Sequence, residues 1–186
     1  MKSLLFVLIT ISIFSSHSSA QSQFIEKDGL GGLVFASTTS DDYGNAVGGG
    51  VGISLGGYVD LGFSIAKASA GNVNKEVTGG HIGIFLSKAK ANFSLDVGYM
   101  NGIGYHNLLV GFNFGKNFKL MNNLQIQPVF SYHLAFLSGE SNTPPSSSFG
   151  VSLDFLIAKH FVVSPNFGSV NNTMFGGLSV GLFFGS

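Results

Sequence analysis

The sequence predicts an all-β protein, an antiparallel up-and-down β-barrel whose strands cross a membrane. Three observations carry this. First, the chain runs through about ten segments in which large apolar residues alternate with small or polar ones, the period of a strand whose successive side chains point to opposite faces. In the last segment, Leu178, Val180, Leu182 and Phe184 alternate with Gly177, Ser179, Gly181 and Phe183. Second, the smaller set is mostly Gly, Ser, Asn and Asp, which fills an ordinary core poorly but suits the inside of a membrane barrel. Third, only 10% of residues are charged and mean hydropathy is +0.38, whereas about 25% charged is usual for soluble domains.

Residues 1–20 read as a secretory signal peptide. Lys2 gives the positive start. Leu4 to Phe14 give an apolar stretch shorter than the ~20 residues of a membrane helix. Ser18, Ser19 and Ala20 are the small residues of a cleavage site. The mature chain is expected to begin at Gln21 and to form one barrel domain over 21–186. With no Cys in the chain, neither a disulfide nor a lipoprotein anchor is expected. The formal net charge is +0, every basic residue is Lys, and no basic patch stands out, so no nucleic-acid partner is expected.

The predicted strands are 29–38, 46–55, 58–69, 78–87, 92–100, 107–116, 124–136, 148–156, 160–168 and 175–184, each close to the ~9–11 residues that cross a bilayer at a tilt. The first has the weakest phase, which keeps a count of eight beside the preferred ten. In 58–69, Val59, Leu61, Phe63 and Ile65 face out while Asp60, Gly62, Ser64 and Ala66 face in. Strand 78–87 turns His81 inward. In 92–100, Phe93, Leu95, Val97 and Tyr99 oppose Asn92, Ser94, Asp96 and Gly98. Strand 107–116 turns Asn113 inward, and 124–136 turns His133 inward. In 148–156, Phe149, Val151, Leu153 and Phe155 oppose Ser148, Gly150, Ser152 and Asp154. A helix would need apolar residues three and four apart, a period these runs lack. Pro128 and Pro165 fall on the outward phase of their strands, where each removes one ladder hydrogen bond. The rival architecture, a soluble β-sandwich, would bury the outward Phe and Leu against a second sheet.

The connections are expected to alternate. Gly56-Gly57, 87–91, 117–123 and 157–159 read as short turns on one side, three of them carrying Lys. The segments 39–45, 70–77, 101–106, 137–147 and 169–174 read as longer, more polar loops on the other. This matches a barrel with short periplasmic turns and longer outside loops. It places Lys88, Lys90, Lys116, Lys119 and Lys159 on the periplasmic side, and Asp41, Asp42, Lys75, Glu76 and Glu140 outside. Trp is absent, so Tyr58, Tyr99 and Tyr132 are the candidates, with Phe, for the interfacial aromatic girdle.

On these features the chain resembles the small bacterial outer-membrane β-barrel proteins, whose barrels have eight to ten strands. The resemblance covers residues 29–184. It implies residence in the bacterial outer membrane, outer-membrane lipids as partners, and handling by the barrel-insertion machinery. The segment Leu178, Val180, Leu182, Phe184 looks like the family's C-terminal assembly signal, although Gly185 and Ser186 follow the aromatic residue that usually ends it.

The function expected is a structural or surface-interaction role without catalysis and without a cofactor. The polar residues expected to line the lumen are Asp60, His81, Asp96, Asn113, His133 and Asp154. A narrow cation-preferring channel is the first alternative, because the aspartates have no evident inward cation; against it, Phe85, Leu109, Leu156 and Phe183 are large inward residues that would block the lumen. A lipid-modifying hydrolase built on His133 with Ser131 and Glu140 is the second, but the His-x-Ser order of outer-membrane lipid A deacylases is not reproduced, since Leu134-Ala135 follows His133. Gly52-Ile53-Ser54-Leu55-Gly56 and Gly177-Leu178-Ser179-Val180-Gly181 match the nucleophile elbow, yet neither precedes a helix, which that strained turn requires. Two separated His make a poor ligand set, so no metal is expected. The outside loops, with Tyr43, Tyr105 and Pro144-Pro145, are the surface available to an unidentified partner.

Overall fold

The computed structural model describes Phe24 and residues 29–185 except 43, 71, 88–90, 103–104 and 139–144; the signal-peptide segment, Tyr43, Lys88, Lys90, Glu140 and Pro144 lie outside the described residues. The strands are β1 (Leu30–Asp41), β2 (Asn45–Leu55), β3 (Val59–Ala70), β4 (Val73–Ser87), β5 (Asn92–Gly102), β6 (Tyr105–Gly115), β7 (Phe118–Met121), β8 (Leu124–Ser138), β9 (Ser146–Ile157), β10 (Phe161–Val170) and β11 (Thr173–Gly185). Each of the long strands pairs antiparallel with its neighbours in sequence, β6 pairs with β8, and β1 pairs with β11 from Gly31↔Gly185 to Asp41↔Phe175. The sheet therefore closes as a ten-stranded barrel, with β7 as one short additional strand. Closure leaves no row of unpaired backbone N–H and C=O groups facing lipid, where each would cost several kcal/mol.

Alternation sets the two faces. On the outside, Val34, Val51, Phe63, Ile82, Val97 and Val180 are exposed, Phe63 by 55%. Those faces are not covered by a second sheet, which excludes the sandwich. Inside, large side chains are accommodated by glycines directly opposite on the next strand. Phe35 faces Gly50 and Gly181, His81 faces Gly62, Leu109 faces Gly98, His133 faces Gly111 and Phe175 faces Gly168. A Cβ on Gly50 would come within 2.7 Å of the Phe35 ring, and one on Gly62 would strike the His81 ring. The high Gly content thus has a packing reason: a narrow lumen holds one large residue per strand pair only if its partner has none.

The interior is layered. At the end holding the chain termini, Phe24, Leu33, Phe35, Leu156, Val162 and Phe183 cluster. At the opposite, loop end, Val77, Met100, Leu109, Ala135, Val170 and Phe175 cluster, with a smaller patch of Ala46, Ala66 and Ala68. Polar residues fill the zone between.

The strand ends depart from expectation in three places. The stretch 117–123 is not a turn. β7 lies there on the same β8 ladder as β6, and the turn is at Asn122 and Asn123. Lys116 N–H donates to the Pro128 carbonyl at 3.3 Å, but Pro128 has no N–H to return, so one long strand is interrupted. Nor are 169–174 and 70–77 long loops. Val170 pairs with Thr173, and Ala70 with Val73. Asn171 and Asn172 both have positive φ, 47° and 70°, the geometry of a two-residue type I′ hairpin. The strands outrun the apolar band because polar residues go on pairing past it: Ser69 Oγ donates to Asn74 Oδ1 at 2.6 Å. At the terminal end, Gly56-Gly57 and Ala158-Lys159 also have positive φ, but there three residues separate the pairs Leu55↔Val59 and Ile157↔Phe161.

Pro165 acts as Pro128 does. The β10–β11 ladder runs through Pro165↔Leu178, whereas the β9–β10 ladder skips Ser164 and Pro165. Of the girdle candidates, Tyr58 and Tyr99 are exposed near opposite ends, while Tyr132 stands in mid-wall, 5.8 Å from the Phe112 ring.

Candidate functional site in the barrel interior

Asp96 on β5, Asn113 on β6 and His133 on β8 meet in the polar zone because each takes the inward phase of its strand. Asp96 and His133 lie on either side of Gly111, directly opposite it on the two flanking strands. With no side chain at 111, His133 Nε2 approaches Asp96 Oδ2 to 3.6 Å. Asn113 Nδ2 donates to the same Asp96 oxygen and, at 3.1 Å, to Ser94 Oγ. Asp60 is the corresponding neighbour of Asp96 across Gly83. His81 stands one inward position further toward the loop end, over Gly62.

A second polar group lies across the barrel. Asp154 is fully buried and accepts a hydrogen bond from Ser164 Oγ, at the point where Pro165 has opened the β9–β10 ladder. Gln127 pairs with Asp154 on the other side. The amide groups of Gln127 and Asn166 have no hydrogen-bond partner among the described residues. A cavity of about 10 Å³ beside Asn166, Ser131 and Ser152 is the size of a single water site.

The six polar residues predicted for the lumen thus divide. Asp96, Asn113 and His133 form one connected cluster with Asp60 beside it; Asp154 belongs to a second group; His81 is half-buried above the first. Asp96 faces the imidazole of His133, which the sequence also turns inward. The available signal was Gly111: an inward glycine between two strands that carry an acid and a His at paired positions. Among the described residues, no group of three His, Cys, Asp or Glu is arranged to hold a metal ion. Ser54 and Ser179, the serines of the two elbow-like motifs, are buried on β2 and β11. Phe85, Leu109, Leu156 and Phe183 are all buried in the lumen.

Leu178, Val180, Leu182 and Phe184 occupy the outward face of β11, on the strand that closes the barrel against β1. Asp41, Asp42, Lys75 and Glu76 lie at the loop end, and Lys116, Lys119 and Lys159 toward the terminal end.

No protein-family model matches the chain, and no curated protein matches it in sequence. Among solved structures the chain is similar to the KdgM porin, both alone and in complex with disordered oligogalacturonate, with a TM-score of 0.51 and 11% identity over 81% of this chain and 98% of that one. It is also matched, at a TM-score of 0.42 and 11% identity over 85% of this chain and 98% of that one, to the N-terminal β-barrel domain of Pseudomonas aeruginosa OprF. At such identities the likeness is one of fold: the chain has the architecture of the bacterial outer-membrane β-barrels.

Proposed function

We propose that the chain is an integral protein of the bacterial outer membrane with a structural or surface-interaction role, a closed lumen and no catalytic activity. One observation carries the reading: the interior is packed. Apolar clusters lie at both ends of a polar zone in which Asn113 bonds Asp96 and Ser94, and Ser164 bonds Asp154. A ten-stranded barrel is narrow enough for side chains to do this, unlike the sixteen-stranded porins with their aqueous channels. The exposed apolar wall supports outer-membrane lipids as the surrounding partner. The outward row Leu178, Val180, Leu182 and Phe184 is the segment offered to the barrel-insertion machinery.

The test has two parts. Outer-membrane fractions are run on gels with and without boiling in detergent; a heat-dependent mobility shift is the expected outcome. The purified barrel is then placed in planar bilayers, where no steady conductance is expected. Steady cation-preferring steps that fall on Asp96→Asn would replace this reading with the narrow channel. Lipid A altered by the wild-type chain and restored by His133→Ala would replace it with the hydrolase.

A further inference from the structure

Phe24 belongs to no strand. It stands ahead of β1 in the chain, yet its ring lies inside the lumen at the terminal end, only 9% exposed. There it packs with Leu33 and Phe35 of β1, Leu156 of β9, Val162 of β10 and Phe183 of β11. Its contact with Phe183 is edge-on, with ring centroids 6.1 Å apart and planes at 69°, one of the arrangements aromatic pairs prefer. The apolar cluster at the loop end is built differently: every member is a strand residue, fixed by its ladder. Of the two, only the terminal cluster includes a side chain that no ladder holds.

Buried polar residues lie directly behind this cluster. The next inward position beyond Phe35 is Ser37, beyond Val162 is Ser164 and beyond Leu156 is Asp154, and all three are buried. Ser37 Oγ has no hydrogen-bond partner among the described residues, and Ser164 Oγ donates to Asp154. Such groups gain from contact with water, and the apolar cluster stands between them and the terminal mouth. Withdrawing Phe24 breaks no ladder hydrogen bond. It takes one ring out of the cluster and leaves the wall whole. The opening so made is blind, because the loop-end cluster is untouched.

We propose that Phe24 is a displaceable stopper: seated, it keeps water out of the lumen, and withdrawn, it opens the lumen from the terminal end. The stopper rests on the closed-lumen reading above, and the experiment separates the two. The chain has no Cys and no Trp, so one introduced residue of either kind reports alone. Folded barrels are identified in mild detergent by their heat-dependent mobility shift, and a Ser37→Cys chain is treated with a small water-soluble thiol reagent. Labelling is expected to be slow, to become faster by about tenfold or more when Phe24→Ala is added, and to be slow again with Phe24→Leu. A separate Phe24→Trp chain in lipid vesicles is expected to resist quenching both by iodide in the water and by brominated acyl chains, since the ring sits in the lumen. Equal labelling of Ser37→Cys with and without Phe24→Ala overturns the stopper and leaves the closed lumen standing. With Phe24 in place, labelling as fast as that of Asn122→Cys, in an exposed turn, overturns the closed lumen and the stopper with it. Should Phe24→Ala lose its mobility shift, Phe24→Trp decides: quenching by iodide or by the brominated lipid overturns the proposal, and protection from both upholds it. A wild-type chain with no mobility shift overturns the membrane reading itself.

Discussion

His133 Nε2 stands 3.6 Å from Asp96 Oδ2 in the barrel interior, and the two residues meet across Gly111. The strand between them contributes backbone only, so two side chains from strands that are not neighbours touch. Removing one member of a buried pair typically costs about 3–5 kcal/mol, and less where, as for Asp96, Asn113 goes on donating to the same oxygen. His133→Leu is therefore expected to lower the urea midpoint of the barrel in lipid vesicles. Asp96→Asn added to it should cost less than it does alone, by about 0.5–3 kcal/mol. Strictly additive losses would show that the contact contributes nothing.

Gly168 and Gly150 are paired with each other on β10 and β9, both beside the Phe175 ring, yet they differ in room. A Cβ on Gly168 would strike the Phe149 carbonyl oxygen and come within 2.6 Å of the Phe175 ring. One on Gly150 would find its nearest neighbour, the Phe167 carbonyl oxygen, at 3.8 Å. Gly168→Ala is expected to destabilise by about 1–3 kcal/mol, the usual penalty of overpacking. Gly150→Ala should stay within about 0.5 kcal/mol of the wild type. The same urea titration compares them, and similar values for both would contradict the packing described here.

Pro128 accepts from Lys116 N–H but returns nothing, and the ladder opens there. Pro128→Ala supplies the missing donor. The expected gain is about 0.5–1.5 kcal/mol, the net worth of one hydrogen bond, with slower amide exchange at Lys116 and Asn117 as β6 and β7 fuse. Unchanged exchange would mean that something other than the proline interrupts the strand.

Phe35 belongs to the apolar layer at the terminal end and Phe175 to the one at the loop end. Phe35→Ala combined with Phe175→Ala opens both layers at once. Conductance in planar bilayers is expected to appear in the double variant and to prefer cations, since Asp60, Asp96 and Asp154 then face a hydrated lumen. Each single variant leaves one layer in place and is expected to remain silent.

Phe184 is the last aromatic residue of the outward row on β11, paired with Gly32 of β1. Phe184→Ala is expected to lower the fraction of chain that shows a heat-dependent mobility shift while leaving the refolded barrel's urea midpoint within about 1 kcal/mol, since the side chain is exposed. A fall in both would assign the residue to stability rather than to assembly.

Sequence alone determined the strands and their two faces. Alternation has a period of two, so one well-phased residue such as Phe63 or Asp96 fixes the orientation of its whole segment. The barrel was the expected architecture because a face of Gly, Ser and Asp packs a core poorly, while the rival sandwich, which would bury the Phe, Leu and Val face against a second sheet, is excluded by closure of the sheet. Strand ends were less legible, since Asn74 and Glu76 look like loop residues but pair in the ladder with Ser69 and Lys67. What only the tertiary structure decided is which inward residues meet. Ladder register places Asp96, Gly111 and His133 in one line across three strands, and it sets Phe63, Gly80 and Tyr99 in another on the lipid side. Register is a relation between strands fixed by closure of the whole sheet, and no single strand's sequence contains it.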